Sequence, residues 1–281
     1  MTKINFIKTV RGCLIISACL FLSSCQKSFD SNSYKPARTF GGYASSNAVA
    51  SGNLIDHFSF EGSLMDSVSN TAATGYGTGY SVGIKGQGLS VGLNNYALFV
   101  PTAKIKQLSS MTIAFWINTA INTVGIQTPI SFVNQNQFWG NLDMFFDGQA
   151  ATTSVFKIHA FGDGGNKEAW LTSWHIASPW DTWLYISLTY DNASSTFTFY
   201  VNGARVGSSV QAGFGAPNFA NCPDIVLGTI QFQTSPSLTS ATTAQGWASN
   251  VLGTIDEVRI YDKALAGSDI KALYQLEGLG L

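Results

Sequence analysis

The sequence predicts an all-β fold, two antiparallel sheets packed face to face as a sandwich and closed by one short C-terminal helix. Three observations predict it. Gly (28 residues), Ser, Thr and Asn are abundant, charged residues make up only 11% and aromatic residues a high 13%; that composition suits many strands and turns, not a helical bundle. Short stretches that alternate apolar and polar residues recur along the chain, separated by Gly-, Asn- and Asp-containing turns. Helical periodicity is convincing only from Ser268 to Leu276, where Ile270, Leu273 and Tyr274 share a face, Ser268 offers an N-cap and Asp269 suits the helix N-terminus.

The first segment to place is the leader. Lys3, Lys8 and Arg11 precede an apolar run from Cys13 to Phe21, shorter than the roughly 20 residues a helix needs to span a bilayer, so residues 1–24 read as a signal peptide. Leu22-Ser23-Ser24-Cys25 resembles a lipobox, which implies cleavage before Cys25 and acylation of that cysteine. Each buried methylene of an acyl chain contributes about 0.8 kcal/mol, so several chains on Cys25 would hold the protein to a membrane through lipid alone. Residues 25–53 are Ser-, Asn-, Gly- and Ala-rich and read as a flexible tether. The segment Gln26-Lys27-Ser28-Phe29-Asp30 resembles the surface-export signals of lipoproteins in glycan-foraging Gram-negative bacteria, so the expected location is the cell envelope, at the outer membrane and its surface. With Cys13 and Cys19 removed and Cys25 lipidated, Cys222 stands alone, which leaves no disulfide framework and no Cys-x-x-Cys metal site.

Residues 54–281 are expected to form the folded domain. Ile55 to Phe60 alternates and is turned by Glu61-Gly62-Ser63; Gly88 to Val91 and Tyr96 to Val100 flank the turn Gly92 to Asn95 as a hairpin. Met111 to Asn118, Thr128 to Val133, Leu142 to Phe146 and Val155 to Phe161 are further strands. Trp183 to Tyr190 and Thr196 to Val201 bracket Asp191 to Ser195 as a second hairpin, Asn202-Gly203 supplies a tight turn into Ala204 to Val206, and Gly253 to Ile260 is the last strand.

The order of these pieces resembles a known family. Phe58 to Ser67 is similar to its opening segment, Gly86 to Leu89 with Tyr96 to Val100 to the following hairpin, Met111 to Ile117 to its "thr-ile-x-x-trp-val" strand, and Trp183 to Gly203 to its "tyr-val-asp-gly" hairpin. The most specific match is Gly253 to Leu265, with Ile255-Asp256-Glu257-Val258-Arg259-Ile260-Tyr261 at its centre. Together, over residues 54–277, they resemble the laminin-G-like, concanavalin-A-like jelly roll. The sequence departs from the family in a long Trp-rich middle, Asn134 to Asp181, and in Asn202, where Asp is common.

Composition and spacing exclude several chemistries. From Leu54 to Gln275 nine Lys or Arg stand against fourteen Asp or Glu, a weakly acidic balance that argues against a nucleic-acid partner. The glutamates are Glu61, Glu168, Glu257 and Glu277, none in the closely spaced carboxylate set that glycosidases need. Asp256 and Glu257 are neighbours, and regular strand alternation would point them to opposite faces. His57, His159 and His175 are isolated, and neither Gly-x-Ser-x-Gly nor a phosphate loop is present. No enzyme activity is expected.

The resemblance implies a structural Ca²⁺ with Asp66 and Asp256 as side-chain ligands, an ion that takes hard oxygen donors. Alternatively, Asp66 caps a turn with Ser67, and Asp256 pairs with Arg259 or Lys263. Trp116 and Trp183 fall in family strands and are expected in the core. Trp139, Trp170 and Trp174, with His175 and Asn141 among the polar residues interleaved with them, are candidate glycan contacts, because an indole stacks on a sugar's apolar face while amides bond its hydroxyls; the same tryptophans could instead close the end of the sandwich. The expectation is a lipid-anchored surface protein that binds a polysaccharide or oligosaccharide without turning it over, as an accessory of a polysaccharide-uptake system. The alternatives are a structural or adhesive envelope protein that docks protein partners, and a hydrolase or lyase with an atypical site.

Overall fold

Sixteen strands and two α-helices make up residues 38–281, which are the residues the computed structural model describes. In chain order they are β1 (Leu54–Phe58), β2 (Thr74–Tyr76), β3 (Gly79–Val82), β4 (Gln87–Val91), β5 (Tyr96–Phe99), α1 (Ala103–Lys106), β6 (Met111–Thr119), β7 (Ile126–Phe132), β8 (Leu142–Ala150), β9 (Thr153–Gly162), β10 (Lys167–Ala177), β11 (Leu184–Asp191), β12 (Thr196–Val201), β13 (Ala204–Val210), β14 (Ile225–Leu227), β15 (Ala248–Ser249), β16 (Gly253–Tyr261) and α2 (Gly267–Glu277). One sheet runs β13-β12-β11-β6-β16-β4-β3, with β1 also on β16; the other runs β10-β9-β8-β7-β14-β5-β2. The pairings are antiparallel except for the short β15, which lies parallel to β7. The architecture is the expected two-sheet sandwich with a C-terminal helix.

Alternation explains how the layers form. Met111, Ile113, Phe115 and Ile117 of β6 point into the core between the sheets, where they meet Ile130 and Phe132 of β7, Leu142, Met144 and Phe146 of β8, and Phe156 and Ile158 of β9. The opposite face of β6, with Ala114 and Trp116, is buried too, because α2 lies across it and packs Ile270, Leu273 and Leu276 there. Burying each such aliphatic side chain contributes about 1.5–3 kcal/mol. The outer face of the second sheet has a different cover: Phe145 and Ile126 pack against Phe138, Trp139, Ile230 and Phe232 from loops.

Four expectations are corrected. Gly92 and Asn95 do pair in a tight turn, but β4 joins β3 and β16 while β5 joins β2 and β14. The segment expected to be a hairpin is therefore a corner that carries the chain from one sheet to the other. Helix α2 starts earlier than expected, with Ala266 at the cap position and Ser268 inside the first turn. The tether expected to reach residue 53 is replaced from Thr39 onward by chain that belongs to the folded unit: Val49 is fully buried, Ser46 Oγ donates to the Leu281 carbonyl at 2.8 Å, and Asn53 Nδ2 to Asp262 at 2.8 Å. The Trp-rich middle contains an unanticipated eleven-residue edge strand, β10. The leader, Cys25 and the first part of the expected tether lie outside the described residues.

Candidate functional site

Three indoles from separate parts of the chain line one groove of about 570 Å³ on the outer face of the second sheet. Trp170 projects from β10, Trp139 comes from the loop before β8, and Trp247 from the segment that leads into β15. Trp139 meets Trp170 edge-on at 4.9 Å, lies 5.9 Å from Trp247 and stacks on Phe145 at 5.5 Å. Trp170 is 40% exposed and Trp247 44%. Lys157 of β9 and Asp147 of β8 join the lining and pair with each other at 2.5 Å, and Thr123 adds a hydroxyl.

Local structure holds each indole in place. Phe145, Asp147, Lys157 and Trp170 stand on the outward positions of their strands because their neighbours Met144, Phe146, Phe156, Ile158, Ala169 and Leu171 fill the core. The Trp139 loop is held by amides: Gln231 Nε2 donates to the carbonyls of Gln137 and Phe138 at 2.9 Å each, and Gln231 Oε1 accepts from Asn134 N at 2.7 Å. Trp247 reaches the groove because its carbonyl accepts from Ile126 N at 3.2 Å just before β15 pairs with β7. Gly125 makes that approach possible, since a Cβ there would stand 1.9 Å from the Trp247 carbonyl oxygen.

Beneath the indoles runs a polar row. Asp143 on β8 sits opposite His159 on β9, which sits opposite Trp170 on β10. Asp143 accepts from Ser131 Oγ at 2.5 Å and from Gly140 N at 2.7 Å, and its Oδ2 lies 3.4 Å from His159 Nδ1. His159 Nε2 lies 3.1 Å from Glu168 Oε1, and the same oxygen accepts from Trp170 Nε1 at 3.0 Å.

Of the sequence-expected glycan contacts, the structure brings Trp139 and Trp170 together and puts the other three elsewhere. Trp174 belongs to the core, stacked on Phe199 at 4.9 Å with 6° between the rings, and Gly207 leaves room for it, as a Cβ there would come within 2.6 Å of its Nε1. The reason is a bulge: Leu171 pairs with Ile158 and Trp174 with Phe156, so Thr172 and Ser173 both face Lys157 alone and the strand changes phase. His175 is exposed beyond that bulge and does not line the groove. Asn141 is fully buried and serves the scaffold, donating to the Val133 carbonyl at 2.9 Å and to Asn221 at 2.8 Å while accepting from Asn134 and Asn218. Sequence reasoning missed Trp247, Phe145, Lys157 and Asp147; the outward phase of the recognised segments Leu142 to Phe146 and Val155 to Phe161 was the available signal for Phe145 and Lys157, and Asp147 lies one residue beyond the first of them.

The two expected calcium ligands serve separate backbone segments. Asp66 accepts from the amides of His57 (2.7 Å), Val68 (3.0 Å) and Ser69 (2.9 Å). Asp256 accepts from Ile84 (2.9 Å), Lys85 (3.2 Å) and Glu257 (2.8 Å), while Arg259 pairs with Glu257 and Glu277 instead. The pair shares no partner, and among the described residues no group of three or more His, Cys, Asp or Glu is placed to hold a metal ion. Asp66 instead neighbours Asp56, whose carboxyl burial, then the bond to Asp66, pushes up to about 9. Burial also pushes Asp66 up, but the Asp56 bond and the backbone amides outweigh it and hold Asp66 below the usual range.

The family model described as the concanavalin A-like lectin/glucanases superfamily matches residues 91–271. No curated protein sequence matches the chain. Among solved structures the fold is similar to domain 4 of AbnA, a GH43 extracellular arabinanase from Geobacillus stearothermophilus in complex with arabinotriose (TM-score 0.54, 20% identity, 79% of this chain and 98% of that one). It is also similar to the binding domain of Paraclostridial Mosquitocidal Protein 1 (TM-score 0.55, 16% identity, 79% and 52%). A third similar structure is that of botulinum neurotoxin type C, whose cell entry depends on interaction with two ganglioside molecules (TM-score 0.57, 17% identity, 80% and 51%). The match thus spans about half of each toxin chain, and at these identities the likeness is one of fold.

Proposed function

The chain belongs to the concanavalin A-like lectin and glucanase superfamily, and from that premise we propose that it binds carbohydrate in the aromatic groove without cleaving it. The observation that carries this reading is the convergence of Trp139, Trp170 and Trp247 around one open groove beside Lys157, Asp147 and Thr123. Indole faces take the C–H face of a pyranose or furanose, and the flanking polar groups take its hydroxyls. The arabinotriose held by the arabinanase domain and the gangliosides on which the type C toxin depends lend support from within the same fold. Binding is favoured over turnover because Asp147 is paired with Lys157, and Glu168 is tied to both His159 and Trp170, whereas glycoside hydrolysis wants two carboxyl groups flanking the scissile bond. The chain is further proposed to sit at the cell surface through an acylated Cys25, as an accessory of glycan uptake.

The test uses the chain from Gln26 onward in affinity electrophoresis against a panel of plant, bacterial and host polysaccharides. Retention by at least one of them, with no reducing or unsaturated ends released, is the expected result. Trp170→Ala and Trp247→Ala variants that still melt cooperatively should be retained less, each ring contributing on the order of 1 kcal/mol. Turnover that survives a second purification, or no retention on any glycan, would reject the reading. For the anchor, a fatty-acid analogue should label the wild type and not Cys25→Ala.

A further inference from the structure

We infer that Asp143, His159 and Glu168 act as a proton-dependent clamp that positions the Trp170 ring, an inference whose biological use rests on the groove being a glycan site. His159 is fully buried, enclosed by Trp139, Phe161 and Trp170 at ring distances of 5.9, 4.7 and 4.6 Å. Its two nitrogens face two carboxylates on opposite sides. Nε2 reaches Glu168 at 3.1 Å, while Nδ1 lies 3.4 Å from Asp143 and makes no hydrogen bond. Asp143 is itself immobilised by Ser131 and Gly140, so the inner end of the row is fixed. The outer end is not: the Glu168 side chain is 47% exposed, and among the described residues only His159 and Trp170 hold it.

A neutral imidazole has one N–H to offer and two acceptors to serve. With the hydrogen on Nε2 it bonds Glu168 and turns a bare lone pair on Asp143. With the hydrogen on Nδ1 it turns that lone pair on Glu168 and releases it to solvent. Protonation resolves the conflict, because both nitrogens then donate and both bonds become charge-assisted, roughly twice as strong as neutral ones. Glu168 is then fixed, and the oxygen that holds His159 also accepts the Trp170 N–H. The charged groups that face the imidazole are Asp143 from β8 and Glu168 from β10; Lys157, two residues away on β9, is engaged by Asp147, and the covering loop supplies Trp139. His159 and Glu168 are positioning residues: they act on a ligand through Trp170.

The experiment is an NMR titration of the chain from Gln26 onward between about pH 8 and pH 5, the span in which imidazoles change charge. The Trp170 indole N–H is assigned by its loss in Trp170→Phe. In the wild type that resonance should move with the same midpoint as the His159 ring, and in His159→Gln, which keeps a donor but does not titrate, it should stay still. Should His159→Gln fail to melt cooperatively, Glu168→Gln replaces it; its amide oxygen still accepts the indole N–H, and the response should fall below about half. An indole N–H indifferent to pH in the wild type, or one that titrates unchanged in these variants, overturns the clamp. In parallel, retention on whichever polysaccharide binds should tighten at least threefold on acidification in the wild type only. Binding without that change also rejects the clamp. An intact NMR response in a protein that retains no polysaccharide sinks the glycan reading and leaves the clamp standing.

Discussion

The outer faces of the two sheets each carry a histidine, carboxylates and a tryptophan, and they put them to opposite uses. On the first sheet His57 Nε2 meets Glu257 at 2.9 Å, Arg259 joins Glu257 and Glu277 at 2.6 Å each, and Glu277 accepts from Trp116 Nε1 at 2.8 Å. Helix α2 supplies Glu277 and covers the set, which is buried throughout. On the second sheet the row from Asp143 through His159 to Glu168 has, among the described residues, neither an arginine partner nor an α-helix over it, and it ends in a half-exposed indole. What separates a buttress from a site here is the covering element and one guanidinium; the residue types are much the same.

Removing the guanidinium should break the comparison most severely. Arg259→Met leaves Glu257 and Glu277 buried without their cation, and urea unfolding should report a loss of about 3–5 kcal/mol. The matched change on the other face, Lys157→Met, removes a partly exposed pair and should stay within about 1 kcal/mol. Equal losses would mean that the two faces are equally sealed.

The next contrast lies within one strand. Trp174→Ala empties a core position and should cost about 3–5 kcal/mol, whereas Trp170→Ala should change the melting temperature little and polysaccharide retention more. The reverse pattern would show that the strand presents its other face.

A smaller effect belongs to Asp56. Its folded-state pKa, about 9, lies far above the unfolded value, so the stabilising proton is held fully at acid pH and stability declines as pH rises towards 9. Asp56→Asn keeps a donor for Asp66 without needing that proton. The variant should gain on the order of 2 kcal/mol at pH 8 relative to wild type and progressively less towards pH 4; a gain independent of pH would refute the shared proton. His57 runs the other way. Burial first, and Arg259, push its pKa down despite Glu257, so the native state resists a proton that the unfolded chain takes up. The first face therefore weakens as pH falls through the ordinary imidazole range.

The smallest effect expected is that of calcium. With Asp66 and Asp256 committed to different backbone amides, EDTA should leave the melting temperature unchanged. A clear rise with added calcium would restore a shared ion site, since a ligand bound only by the native state must raise it.

Much of the fold was legible because strand patterns and turn chemistry agree locally. Asn202 and Gly203 both adopt positive φ, 51° and 74°, as a tight hairpin turn requires, and β6, β11, β12 and β16 carry the expected residues. The turn at Gly92 to Asn95 was read correctly as a turn, but local sequence does not record which sheet each flanking strand joins. The groove was half legible: Trp139 and Trp170 stood out by residue type. Trp247 follows a Ser-, Thr- and Gln-rich stretch with no period to read, and its placement depends on a contact with β7 far away in sequence. Asn141 looked like a sugar partner because an amide that binds a hydroxyl and one that staples loops are the same residue; only burial separates them.

The bulge in β10 has an evolutionary consequence. Thr172 and Ser173 together occupy the space of one residue opposite Lys157, so the strand carries a spare position. Loss of either would restore plain alternation and leave Trp170 outward and Trp174 inward, as they are now. Loss of a residue anywhere else in β10 would turn the remainder of the strand inside out, exchanging an indole of the core for a polar side chain. Insertions and deletions in relatives of this chain are therefore expected to concentrate at that single point, where length can drift without disturbing either the hydrophobic interior or the groove.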